Sequence, residues 1–213
     1  ACWAFIRGSF ELFVYGWYPE PERWRVNLTF ILFIAAIVGG LRENIPGKKY
    51  WLIFAAAFPF IAAWLLLGGF GLEPVSTNKL GGILLTLVVA VTGISFSLPL
   101  GIALALGRRS NLPALRGVCV IFIEFIRGVP LITLLFVAST MLTYFLPPGS
   151  TFDLLMRVLI MVTLFASAYI AEVVRGGLQG LSTGQYEAAD SLGLSYWKSH
   201  RLIILPQALQ ISI

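Results

Sequence analysis

Few side chains in this 213-residue sequence can do chemistry. His200 is the only histidine, and Cys2 and Cys119 are the only cysteines. One imidazole and two thiols make no metal-ligand set, and a Ser-His-Asp triad is not expected. Gly47-Lys48 lacks the upstream glycine and the following Ser/Thr of a phosphate-binding loop. No catalytic residue, metal, cofactor or nucleic-acid surface is therefore expected. What remains is a repeated charge pattern: Glu124-Phe-Ile-Arg127-Gly128 and Glu172-Val-Val-Arg175-Gly176 both read E-x-x-R-G. A spacing of three puts each glutamate and arginine on one helix face. Such pairs can anchor helix ends or take part in gating or a permeation path, and both readings stand.

The elements that carry these residues belong in a bilayer. Charged residues make up 12% of the chain, hydrophobic ones 58%, and the mean hydropathy is +0.88. A soluble domain carries roughly 25% charged residues, enough to cover a wet surface. A membrane helix needs about 20 apolar residues. Five stretches qualify, at 26–40, 50–72, 80–106, 118–146 and 154–174. A sixth begins at 202. The chain starts at Ala1 without methionine, and this sixth stretch stops at Ile213. A fragment cut inside a helix is expected. The reading is all-α: a polytopic transmembrane helix bundle of five spans plus a truncated sixth.

Basic residues set the orientation. Arg42, Lys48, Lys49, Arg108, Arg109, Arg116, Arg175, Lys198 and Arg201 fall in alternate connecting segments. The other segments carry only Arg7, Arg23, Arg25 and Lys79. Lys and Arg concentrate on the cytoplasmic side, so residues 1–25 are expected outside and 175–201 inside. Tyr15, Trp17, Tyr18 and Trp24 are read as aromatic anchors at the outer interface, with Tyr50 and Trp51 at the inner one.

Within the spans, Gly93, Ser97, Gly101 and Ala105 repeat at every fourth position, a spacing that lets membrane helices approach closely. Pro99 is expected to bend that helix. Gly128 and Pro130 interrupt 118–146. Ser139, Thr140, Thr163 and Ser167 fall near mid-depth. Their hydroxyls can line a path through the bundle or bond back to their own helix carbonyls.

Segment 176–205 is the most informative. Ser182-Thr183-Gly184-Gln185 fits a capping box, S-x-x-Q, which predicts a helix over 183–192. Gly193 suits a left-handed helix terminus. Ser195 can cap a second helix running into Ile203-Ile204-Leu205-Pro206. The product is helix, glycine elbow, helix.

Glu187-Ala188-Ala189, three residues, Gly193, nine residues, then Ile203-Ile204-Leu205-Pro206 resembles the EAA motif of ABC importer permeases, EAA-x3-G-x9-I-x-LP. The stretches EFIRGVPLI (124–132) and SAYIAEVVRGGLQG (167–180) resemble the polar-amino-acid branch of that family. The resemblance covers about 80–213, an ABC importer permease core incomplete at its C-terminal end. Residues 1–79, with the helix pair at 26–72 and YGWYPEPERWR before it, look like the interfacial segment and extra hairpin of the longer M-type permeases of general L-amino-acid importers. The resemblance implies a non-catalytic, multi-pass permease subunit of a bacterial inner membrane. It implies a second permease subunit, cytoplasmic ABC ATPase subunits, a periplasmic amino-acid-binding protein and an amino-acid substrate. It makes Glu187, Ala188, Ala189, Gly193 and Pro206 the residues that couple to the ATPase. Ala189 is then expected against the ATPase surface, where added bulk would block a groove. The other reading is an ion-coupled secondary transporter or channel, which would need ionisable residues near the midplane.

Overall fold

The computed structural model describes residues 3, 7–42, 46–145, 147 and 152–212. Among them every regular element is helical; two isolated bridges join Gly16 to Leu80 and Gly69 to Leu72. A short α1 (Phe10–Tyr15) leads through a 3-10 turn (Glu20–Glu22) into α2 (Arg23–Leu41). Then come α3 (Lys48–Leu67), α4 (Gly82–Arg108), α5 (Pro113–Gly128), α6 (Leu131–Phe136), a π turn (Val137–Met141) and α7 (Leu142–Phe145). The remaining helices are α8 (Leu154–Gly180), α9 (Thr183–Ser191), α10 (Tyr196–Ser199) and α11 (Leu205–Ser212), with a π turn over His200–Ile204 between the last two.

Four helical stretches, Glu20–Leu41, Lys48–Leu67, Gly82–Arg108 and Leu154–Gly180, are long and apolar enough to cross a membrane. The remaining expected span, 118–146, is interrupted where Gly128 and Pro130 stand: Pro113–Gly128 and Leu131–Met141 meet at 102° as a bent pair. The cause is local. Pro130 forces the residue before it out of the helical region, and Val129 accordingly sits at φ −106°, ψ 132°. Helix α8 also runs past the expected end at 174, so Arg175 lies within it rather than in a loop.

By its own packing the chain forms two units, 1–95 with 148–159 and 96–147 with 160–213, and α4 and α8 contribute to both. The first unit holds the α2–α3 hairpin. Its helices come close at Gly39, where a Cβ would run into the Trp51 ring. Phe33 and Phe58 stack nearby at 5.6 Å. The core is Tyr18, Val26, Leu66, Val75, Leu80 and Leu84. Tyr18, expected at the lipid interface, is in fact buried and donates to the Leu66 carbonyl at 2.9 Å. Burial pushes its pKa up, which keeps the hydroxyl a donor. Trp17 and Trp24 remain exposed, as interface anchors should. Arg25 is only 2% exposed; its Nε lies 2.6 Å from Glu22 and its Nη1 donates to the Glu73 carbonyl at 2.7 Å. That pair fixes the entry to α2 against the loop after α3.

The second unit gathers α4, α5, α8 and the last helical stretch around Ala105, Ile123, Ala171, Val174, Leu178, Ile204 and Ala208. Small residues let the backbones meet. Gly93, Ser97, Gly101 and Ala105 are all buried, as their spacing predicts. A Cβ on Gly101 would stand 2.8 Å from Ile170 Cβ and 3.0 Å from the Ser167 carbonyl oxygen. Gly101→Val should therefore destabilise the protein by about 1–3 kcal/mol through overpacking. Gly117, in α5, has nothing within 4 Å of a built Cβ. Gly117→Ala should be neutral or gain up to about 1 kcal/mol of helix propensity. Thermal unfolding in detergent checks both; equal melting shifts for the two variants would contradict the packing described.

Candidate functional site

The elbow is built by backbone hydrogen bonds. Helix α9 ends in a Schellman turn: Leu194 N–H donates to the Ala189 carbonyl at 3.2 Å and Gly193 N–H to the Asp190 carbonyl at 2.9 Å. Gly193 adopts φ +67°, which costs a residue with a Cβ about 1 kcal/mol or more. Ser182 and Ser195 occupy the two N-cap positions, but neither side chain caps. The Gln185 side chain does not complete the expected capping box. Its Oε1 accepts from Gln207 Nε2 at 3.1 Å, tying α9 to α11.

The motif residues face different ways. Glu187 and Ala188 are exposed, while Ala189 is 0% exposed within its own chain. Ala189 is thus not the surface on which a partner would rest, contrary to the expectation. Its methyl is buried within the chain, and its carbonyl helps close the Schellman turn. Pro206 is exposed in α11. It carries no N–H and crowds the carbonyl of Leu202. The wider π turn His200–Ile204 lies on that stretch.

Tyr186, which no motif singles out, ties the elbow to two longer helices. Its hydroxyl accepts from Arg109 Nη1 at 3.1 Å, just past the end of α4, and reaches the Leu178 carbonyl of α8 at 3.5 Å. The Arg109 guanidinium also lies 5.7 Å from the Tyr186 ring centroid, a cation–π distance. On its other side the ring meets His200 edge-on at 6.3 Å. His200 stacks on Tyr196 at 3.9 Å and bonds the Tyr196 carbonyl through Nδ1 at 2.9 Å. No spacing rule announces a contact between residues 109 and 186. The available signal was an aromatic residue with a polar tip beside an otherwise small-residue motif.

The E-x-x-R-G repeats converge on one charge cluster. Arg175 grips Glu172 through Nε at 2.9 Å and Nη2 at 2.8 Å, the expected pair. Arg108 of α4 binds the other Glu172 oxygen, and Arg127 of α5 lies 3.7 Å away. Glu124 pairs across helices with Arg108 at 3.0 Å. Arg127 also lies 5.6 Å from the Tyr169 ring centroid. Arg108, known from the sequence only as a loop cation, is thus a full member. The hydroxyls proposed for a substrate path bond back to their own helices: Ser139 and Thr140 to the Phe136 carbonyl, at 3.0 and 2.7 Å, and Ser167 to that of Leu164 at 2.7 Å. Thr163 is half-buried. Ser139 and Thr140 sit in the π turn Val137–Met141, where hydroxyl donation to Phe136 competes with the amide ladder.

Residues 97–213 match the family described as binding-protein-dependent transport system inner membrane component. The chain belongs to this family. All of it aligns at 52% identity with the inner membrane amino-acid ABC transporter permease protein YhdY of Escherichia coli (strain K12), over 59% of that protein. It aligns at 43% identity with the glutamate/glutamine/aspartate/asparagine transport system permease protein BztC of Rhodobacter capsulatus, over 62% of that protein. A crystal structure of an amino acid ABC transporter with histidines matches at TM-score 0.51 and 31% identity, over 59% of this chain and 57% of that one. The chain spans about three-fifths of the curated relatives it matches. This inner membrane component is a multi-pass membrane protein of a transport family, not an enzyme.

The cluster makes a stability prediction. Glu172 has a 15% exposed side chain and three arginines on it, whereas the Glu124 side chain is 55% exposed and holds Arg108 alone. Glu172→Gln strands several guanidiniums and should cost about 2–3 kcal/mol, below the ~3–5 of a fully buried pair. Glu124→Gln should cost less than about 1 kcal/mol. Thermal unfolding of both variants decides, and an equal or reversed order would rule out Glu172 as the hub.

Proposed function

We propose that this chain is the membrane-spanning part of an ATP-driven amino-acid importer that takes its substrate from a periplasmic binding protein. The observation that carries this reading is the elbow: an unsubstituted EAA motif on a short helix, closed by a glycine turn, presenting Glu187 and Ala188 outward. A short helix with one small and one acidic exposed residue suits a docking element that a groove admits closely. Cytoplasmic ATPase subunits would grip it, and their closure on nucleotide would swing α9. The similar permeases of Escherichia coli and Rhodobacter capsulatus are named for amino-acid transport, which supports an amino-acid substrate.

In this reading the elbow lies in the cytoplasm, following the basic-residue bias. Residues 80–213 supply the importer core and 1–79 the additional hairpin. A second permease subunit completes the pathway. Glu124, Arg127, Glu172 and Arg175 brace the helix ends that move when the pathway switches. Ser139, Thr140, Thr163 and Ser167 line candidate substrate positions, and reach a substrate only by exchanging their present carbonyl partners. An ion-coupled carrier is not favoured, since it leaves the elbow motif without a use.

Burial sorts the coupling variants. Ala188→Trp adds bulk on the exposed side of α9 and should abolish ATP-driven uptake while leaving insertion and melting temperature nearly unchanged. Gly193→Val strains the turn by about 1 kcal/mol or more and should impair uptake similarly. Ala189→Trp puts an indole where the chain has no room and should lower stability by about 1–3 kcal/mol. Uptake and co-purification with the ATPase, measured on the full-length protein, check the set. Normal uptake in both Ala188→Trp and Gly193→Val would make the elbow a passive loop.

A further inference from the structure

Between α4 and α5 the chain turns in four residues, and an open groove of about 580 Å³ lies along that turn. Its polar mouth is formed by Arg109, Asn111 and Arg116, and its apolar wall by Pro113, Val120 and Ile121. Two guanidiniums line it and no carboxylate does. Arg116 is exposed and has no ion-pair partner among the described residues. Val120 and Ile121 follow Arg116 about one turn further along α5, so the apolar wall adjoins the basic mouth.

Depth fixes the setting. The 27 residues of α4 extend about 40 Å, which matches the ~40–45 Å between the two headgroup layers. Arg109, one residue past this helix, therefore lies at headgroup level. The occupant must pair an anionic head with an apolar tail at that level. Guanidinium groups bind phosphate oxygens in forked, charge-assisted hydrogen bonds.

We infer that this groove binds an anionic phospholipid, its phosphate between Arg109 and Arg116 and the start of an acyl chain against Pro113, Val120 and Ile121. Basic pockets between membrane helices hold such headgroups by this electrostatic match. The site also touches the elbow. Arg109 holds the Tyr186 hydroxyl through Nη1, so a phosphate on the same guanidinium biases the tie between α9 and α4. The binding itself does not rest on the proposed import activity.

The test is native mass spectrometry of the full-length protein in detergent, titrated with dioleoyl phosphatidylglycerol, dioleoyl phosphatidylcholine or inorganic phosphate alone. The glycerol lipid should bind more tightly than the choline lipid. Arg116→Gln should weaken it about fivefold, the weight of one basic residue at a membrane surface. Arg116→Lys, which keeps the charge but loses the fork, should bind between the wild type and Arg116→Gln. Arg116 is exposed, so neither variant puts folding at stake. Equal binding of the two lipids, or no effect of Arg116→Gln, overturns the site. Inorganic phosphate that displaces the lipid completely assigns the groove to a soluble anion and overturns the lipid. Loss of the bound lipid when the ATPase assembles assigns it to a protein contact, with the same consequence.

Discussion

One carboxylate holds three helices together where they leave the apolar part of the second unit. Glu172 on α8 is gripped by Arg175 of its own helix, by Arg108 at the end of α4 and by Arg127 of α5. A chain with 12% charged residues has few ways to satisfy a charge near hydrocarbon, and mutual pairing is the least costly. The cluster makes the ends of α4, α5 and α8 move as a set or not at all. Gly101 and Gly177 serve the same end by bringing backbones together, α4 to α8 and α8 to α11.

The elbow hangs from that set. Arg108 belongs to the charge cluster and Arg109, its neighbour, holds Tyr186. Two consecutive arginines thus join the bracing cluster to the helix that carries the EAA motif. Gln185 to Gln207 and Tyr186 to His200 add ties to the following helix. The Schellman turn at Gly193 is stiff, since its two carbonyls and two amides are mutually satisfied. Under the proposed function, a push on α9 would reach α4, α8 and α11 together rather than being lost in the loop.

Much of this was legible from residue order because the signals were local. Span positions followed from apolar runs, the buried face of α4 from its small residues at every fourth position, and the turn at Gly193 from its place after a short polar helix. Pairing across distance was not legible. Tyr186 meets Arg109 and Glu124 meets Arg108 only after α4, α5 and α8 are packed. The repeated E-x-x-R-G pattern suggested two alike pairs, yet Glu124 pairs outside its own helix. Tyr18 read as an interface anchor because aromatic type does not reveal burial. Ala189 read as a docking surface because a motif does not say which methyl faces inward. Pro130 did mark the break in α5–α6, but not its 102° angle, which depends on what each half packs against.

The claim that α9 drives the spans through the Arg109–Tyr186 contact is tested most directly by a double-mutant cycle. Arg109→Gln, Tyr186→Phe and the double variant are compared in the full-length, reconstituted transporter for amino acid imported per ATP hydrolysed. If the contact transmits the motion, each single variant lowers this ratio with ATPase binding intact, and the double variant is no worse than the weaker single. Independent, additive losses, or an unchanged ratio in all three, would contradict it.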